Sequence, residues 1–235
     1  MTDSPRPCIL DPIWTLWVPV LAIILQIAIE LYMPAEVLSG MHSEWGVHET
    51  LQVLVIFLAM IVAVSCVLRT RWGEQKWLGL WAALAALCCL YVTGEEISWG
   101  QHVFYWETSE SWQAVNDQGE TNLHNTSSWL DQKPRLLLFI GIVVGGLAIP
   151  ALQRYAPHRL PQRFAALFPP ASLWLAALLV LLPYAADKIA SEFFGTVLFV
   201  RVSEMQELYM YYFVLLYLWD LRGRAFPPRL CGLCG

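Results

Sequence analysis

Two adjacent carboxylates, Glu95 and Glu96, stand where a long apolar run ends, in the stretch Gly94-Glu95-Glu96-Ile97-Ser98-Trp99-Gly100-Gln101-His102. Some twenty residues on, Gln118-Gly119-Glu120-Thr121-Asn122-Leu123-His124-Asn125 places a Glu and a His four residues apart. At helical spacing such a pair shares one face. It can give two ligands to a metal ion, or an acid and the base that orients it. One carboxylate of Glu95, Glu96 and Glu120 can act as general base. His124, with His48, Glu49 and Glu207 from other segments, can hold a divalent metal ion that activates water. Glu95 and Glu96 point about 100° apart on a helix, so at most one of them faces the centre of such a site.

These groups need a scaffold, and the composition says which kind. The 235 residues are 57% hydrophobic and 14% charged, with a mean hydropathy of +0.52, against about a quarter charged in soluble domains. Continuous apolar runs of the ~20-residue length that crosses a bilayer recur along the chain. They are continuous rather than alternating, which argues against a β-barrel. The fold class is therefore all-α: a single polytopic bundle of about six transmembrane helices. The runs cover about Ile13 to Met33, Leu51 to Leu68, Trp77 to Glu96, Leu136 to Leu152, Ser172 to Ala186 and Glu207 to Leu221. The fifth is short because Pro169-Pro170 closes its start and Pro183 interrupts its end. The first run is too long for the apolar core of a cleavable signal and reads as a retained span.

Lys and Arg set the orientation. Ten of the fourteen fall on the side that holds both termini and the connections near 69–76 and 153–163; four fall on the other. Both ends are thus cytoplasmic, and loops near 34–50, 97–135 and 187–206 face outward. Fourteen of the nineteen acids lie in those loops or at outer span ends, as do four of the five histidines, His42, His48, His102 and His124. Acids near the outer end recur in five of six spans. Gln26 and Glu30 form one stripe, and Glu204 and Glu207 share a face. Asp and Glu are too short to snorkel well, so a shared polar cavity opening outward is the expectation, and an acidic loop surface the plainer alternative for Glu36, Glu44, Glu107, Glu110 and Asp131.

The loop over 97–135 is too long for a connection alone. Its aromatics suit the headgroup level. Thr108 or Ser109 is placed to cap a short helix reaching about Gln118, broken at Gly119. The motif Glu-Glu-Ile-Ser-Trp-Gly-Gln followed by Gln-Gly-Glu-Thr-Asn-Leu-His-Asn resembles the signature of a family of uncharacterised bacterial multi-pass membrane proteins. The resemblance covers about 95–125 and the layout of spans. It implies the bacterial inner membrane and no particular activity. Glu95-Glu96 is also similar to the start of the Glu-Glu-x-x-x-Arg motif of membrane-embedded CAAX-type glutamyl proteases. Gly100 stands where the Arg belongs, and the last three spans carry no His, which removes that mechanism.

The chain lacks a Gly-x-Ser-x-Gly elbow, a His-Glu-x-x-His pair and a phosphate-binding Gly-x-x-x-x-Gly-Lys loop, which disfavours serine hydrolysis and nucleotide binding. No basic stripe suits nucleic acid. Cys66, Cys88 and Cys89 read as packing residues within spans. Cys8 and the pair Cys231 and Cys234 face the cytoplasm, with no partner in view for metal or redox work. Asn125-Thr126-Ser127 matches a glycosylation sequon that a bacterial chain leaves bare. Gly145-Gly146 permits close helix approach, and the basic connection after the fourth span suits anionic headgroups.

The partners expected are the bilayer and a lipid-borne substrate. The leading reading is an enzyme whose site meets the outer bilayer surface. The alternatives are a non-catalytic subunit or assembly factor that docks through the outer loop, and a proton-coupled carrier.

Overall fold

A computed structural model describes residues 10–41, 46–116, 119–123 and 126–226. His42, Glu44, Asp117, His124, Asn125, Cys8, Cys231 and Cys234 lie outside the described residues, and the side chain of His102 does too. Every regular element among the described residues is helical. A π-helical turn, Ile13–Trp17, leads into α1 (Val18–Tyr32). The chain continues through α2 (Ala35–Met41), α3 (Val47–Arg69), α4 (Lys76–Glu96), α5 (Gln101–Phe104), α6 (Glu110–Gln113) and α7 (Ser128–Val143). A π-helical stretch, Val144–Ala148, joins α7 to α8 (Ile149–Tyr155). Short 3-10 turns between residues 157 and 173 lead to α9 (Trp174–Phe194) and then α10 (Val202–Ala225). Among the described residues, five helices are long and apolar enough to cross a bilayer: Ile13–Tyr32, Val47–Arg69, Lys76–Glu96, Gln132–Tyr155 and Ala171–Phe194. The chain is thus an all-α bundle with the marks of a multi-pass membrane protein.

The sixth long helix differs in kind. α10 packs against α3 on one side and α9 on the other, and α4 packs on α3. It is the most enclosed helix, burying Met205, Tyr209, Met210, Phe213, Leu216 and Leu218 together with the polar Gln206, Glu207 and Asp220. A helix walled in by other helices need not present hydrocarbon-compatible residues outward. That explains its lower hydropathy, and it is why composition alone does not place it with the other five.

Local chemistry fixes the helix ends. Glu49 in the first turn of α3 and Arg69 in its last complement the helix dipole. The Thr70 hydroxyl donates to the Cys66 carbonyl at 2.9 Å as the chain turns away. α9 begins after Pro169-Pro170 as expected but does not stop at Pro183: it runs on to Phe194. A proline leaves a gap in the helical ladder that neighbouring helices can make good. Here the side-chain amide of Gln206 in α10 donates to the Val180 carbonyl at 3.1 Å, next to the Leu179 carbonyl that Pro183 leaves without its helical donor. The fourth long helix likewise starts at Ser128, well before Leu136, with Pro134 inside it. This carries Lys133 and Arg135 from the expected outer loop onto α7.

Gly146 sets the seat of the α7–α8 arm. A Cβ there would meet the Ala177 Cβ of α9 at 2.5 Å and the Phe213 ring of α10 at 2.8 Å. Only a hydrogen side chain lets the three backbones approach this closely, which is the packing role expected of Gly145-Gly146. Cys66 and Cys89 are buried in the core, while Cys88 is exposed.

Candidate functional site

Glu95 and Glu96 end α4 and part company there. Glu95 is 4% exposed and turns toward the outer loop. One of its oxygens accepts from the Trp99 indole N–H at 2.7 Å; the other accepts from the Leu123 backbone N–H, also at 2.7 Å. Between these partners Ser98, Trp99 and Gly100 run consecutively through left-handed backbone, with φ of 45°, 54° and 99°. Two non-glycine residues in that region cost about 1–3 kcal/mol each, so the turn needs outside support. The Trp99 ring lies on Gly94, where a Cβ would come within 2.9 Å of it. Gly94 thus gives Trp99 room, and Trp99 returns a hydrogen bond to Glu95.

Glu120 supplies the second support. It accepts from the Ser98 hydroxyl at 2.7 Å and from the Asn122 side-chain amide at 2.6 Å. Its own N–H donates to the Asn116 side-chain oxygen Oδ1 at 3.0 Å. The Asn116 amide donates to the backbone and side-chain oxygens of Asn122, both at 2.9 Å. Gln101 binds across the loop as well, accepting from the Thr121 N–H and donating to the Thr108 hydroxyl, each at 2.7 Å. The two halves of the sequence signature are therefore bound to each other, and most of their polar groups hold the loop's shape. The helix expected to reach Gln118 is a single turn, α6. Residues 119–123 are not helical, so no helical face there carries Glu120.

Glu96 turns inward. It accepts from the Tyr211 hydroxyl of α10 at 2.8 Å. One turn earlier on α10, Glu207 forms an ion pair with Arg135 of α7. Glu204 accepts from the Gln52 side-chain amide at 3.2 Å and pairs with Arg201 at 3.2 Å. His48 is buried and Glu49 half-buried at the start of α3. Glu49, Glu96, Glu204, Glu207, Tyr211 and Arg135 line one end of a cavity of about 1340 Å³, with His48, Glu95 and Arg201 beside them.

The rest of that cavity is hydrocarbon. α4 and α7 face each other across it rather than packing together, and Leu84, Leu87, Leu137 and Leu138 form the walls. At the far end Trp81, Phe164, Leu167, Phe168 and Pro169 make the floor. That floor is tied to α10: Tyr217 accepts from the Trp81 indole N–H and donates to the Leu167 carbonyl, both at 2.9 Å. Arg224, paired with the fully buried Asp220, donates to the Phe168 carbonyl at 3.0 Å.

The outer acids thus fall into three groups rather than one pool, the first being Glu120 in the loop network. Those of α3, α4 and α10 meet at the cavity, apart from the bonds Glu95 makes to the loop. Those of α1 and α9 fold the α9–α10 connection instead. Asp187 accepts from the Leu198 and Phe199 N–H groups at 2.8 and 3.1 Å. Glu30 accepts from the Val200 N–H at 3.3 Å and from its expected neighbour Gln26 at 3.0 Å.

Of the seven residues expected at the site, Glu95, Glu96, His48, Glu49 and Glu207 reach the cavity. Glu120 stands in the loop network, and His124 is not described. Among the described residues no three His, Cys, Asp or Glu side chains are grouped to hold a metal ion. Sequence reading missed Arg135, Tyr211 and Gln52. Tyr211 and Gln52 sit in apolar runs with no local sign of a partner. Arg135 is misassigned with the helix start, since Pro134 before it reads as a loop residue.

No family model, curated protein or solved structure matches this chain. The resemblance drawn from the 95–125 motif rests on the motif alone.

Proposed function

We propose that this is a multi-pass protein of a bacterial inner membrane, with both termini cytoplasmic and α10 as its sixth span, and that it is an enzyme acting on a lipid-borne substrate. The observation that carries this reading is the two-part cavity: ionisable groups at one end, hydrocarbon walls along the rest, and a gap between α4 and α7. A lipid entering between those helices keeps its chains in an apolar lining while its head meets Glu96, Glu207 and Arg135. Glu96 then serves as general base, its geometry set by the Tyr211 hydroxyl. Arg135, in its ion pair with Glu207, brings a guanidinium to the same end, a group suited to an oxyanion on the substrate. Glu95 and Glu120 act as positioning residues that hold the loop over the mouth. Any divalent metal would depend on His124 joining the carboxylates at the mouth.

The test is to place purified protein in nanodiscs made from a bacterial lipid extract and follow every lipid species by mass spectrometry. The wild type should convert at least one species with time. The Glu96→Gln protein, folded by its thermal transition, should not. Equal lipid profiles with and without the wild-type protein would end the enzymatic reading. Elemental analysis of the same sample decides the metal.

A second reading is a non-catalytic subunit docking through the outer loop. The support for it is the outward display of Phe104 and Tyr105, 76% and 87% exposed, next to the tightly bonded turn. Copurification of a stoichiometric partner, lost on Tyr105→Ala, would favour it.

A further inference from the structure

The cavity has a measurable length. On α4 its lining runs from Glu96 back to Trp81, fifteen residues, or about 22 Å at the helical rise. On the opposite wall it runs from Arg135 to Ile149, fourteen residues and about 21 Å. One leaflet's share of a ~30 Å hydrocarbon core is about 15 Å. The volume also exceeds the ~300–1,000 Å³ usual for small-molecule pockets.

We propose that the cavity takes an amine-headed glycerophospholipid whose acyl chain extends past the bilayer midplane, and that the clamped segment 162–170 is the stop that sets the longest chain accepted. This rests on the lipid-borne substrate reading above. The head follows from charge. Among the described residues, five carboxylates, Glu49, Glu95, Glu96, Glu204 and Glu207, and two guanidiniums, Arg135 and Arg201, line the mouth. The formal excess is three negative charges. It disfavours a pyrophosphate-linked isoprenoid or an anionic phospholipid. An ammonium among carboxylates, with the adjoining phosphate toward Arg135 and Arg201, satisfies both signs.

The stop follows from how the floor is held. A loop of 3-10 turns would give way under a chain end if it were anchored only by its own backbone. Here Tyr217 binds the Leu167 carbonyl while taking the Trp81 N–H, so one hydroxyl joins the α4 wall, α10 and the floor. Arg224 binds the next carbonyl, that of Phe168, and is itself fixed by buried Asp220. Pro169 rests against Gly145, at 3.1 Å from the position a Cβ would take. The floor is therefore supported from α4, α7–α8 and α10 together.

The experiment uses the full chain in nanodiscs with photoreactive lipids that carry a terminal diazirine, followed by peptide mass spectrometry. Four probes are needed: phosphatidylethanolamine and phosphatidylglycerol, each with an acyl chain shorter than the cavity and with one matching it. The matching phosphatidylethanolamine should label residues 162–170, and the short one the walls near Leu84 and Leu138. Phosphatidylglycerol should label either region several-fold less. Leu167→Trp, which keeps the backbone carbonyl that Tyr217 binds, should cut floor labelling several-fold and leave wall labelling intact. Equal labelling by the two headgroups overturns the assigned head. Wall labelling without floor labelling by the matching chain overturns the stop. Both results leave the lipid reading in place. Failure of every probe to label any cavity residue removes the lipid reading itself.

Discussion

Glu95 and Leu123, 28 residues apart, are joined by a 2.7 Å hydrogen bond from backbone amide to carboxylate. The bond brings the far side of the outer loop back to the end of α4, so the carboxylate acts as a latch. Replacing Glu95 by Gln leaves one acceptor oxygen for two donors and sets an amide N–H₂ against the other. Hydrogen bonds to charged groups contribute about 1.5–3 kcal/mol. Glu95→Gln should therefore raise hydrogen–deuterium exchange across 98–123 while α3 and α10 keep wild-type protection. Unchanged exchange in the loop would sink the latch.

Gly94 and Trp99 make a second, steric test. A methyl at 94 lands 2.9 Å from the indole, closer than packed atoms tolerate, and the ring cannot retreat without losing its bond to Glu95. Overpacking of this kind costs about 1–3 kcal/mol. Gly94→Ala should lower the thermal midpoint, and the added change Trp99→Leu should recover part of the loss.

The Glu207–Arg135 pair ties α10 to α7, with the carboxylate almost wholly buried and the guanidinium about a third exposed. Glu207→Gln removes the charge that faces Arg135 in this pair and should cost about 1.5–3 kcal/mol, the scale of a charge-assisted bond. Arg135→Met in the same chain removes the other charge. The double variant should then be more stable than Glu207→Gln alone in a denaturation series. A strictly additive pair would show that the two side chains do not depend on each other.

Gly146 offers a repairable lesion. Gly146→Ala puts its Cβ within 2.5 Å of the Ala177 Cβ and close to Phe213, which should displace the α7–α8 arm and cost about 1–3 kcal/mol. Ala177→Gly in the same chain reopens that space. A crosslinking rate between cysteines placed on α7 and α9 should fall in the single variant and return in the double.

What could be read from the chain follows from where the physics is local. Bilayer length and apolarity depend on consecutive residues, so α1, α3 and α4 fall close to the expected bounds. The Gln26–Glu30 stripe follows from helical spacing and is found as a hydrogen bond. Pro183 misleads because α9 is held in place by its packing against α10 and runs on through the proline, which no local window sees. The same is true of the site. That Glu95 and Glu96 diverge is a matter of helix geometry, but which one faces the cavity depends on Tyr211 and Leu123, far along the chain. Glu120 reads from its spacing as a partner of His124, and only the fold shows one of its oxygens taking donors from both Ser98 and Asn122.

The burial of α10 bears on how the molecule is made. Five helices are greasy enough to partition into lipid singly, whereas α10 brings Glu204, Glu207, Asp220 and two arginines with it. These charges lie toward the two ends of α10, where each weighs less against insertion than the about 2.5–3.5 kcal/mol of a charge at mid-membrane. Synthesised after its neighbours, this helix can wait for a prepared slot between α3 and α9, where Arg135, Gln52 and Tyr211's carboxylate acceptor Glu96 complete its polar contacts. Late assembly around a polar keystone leaves the preceding helices without their centre until the last one arrives.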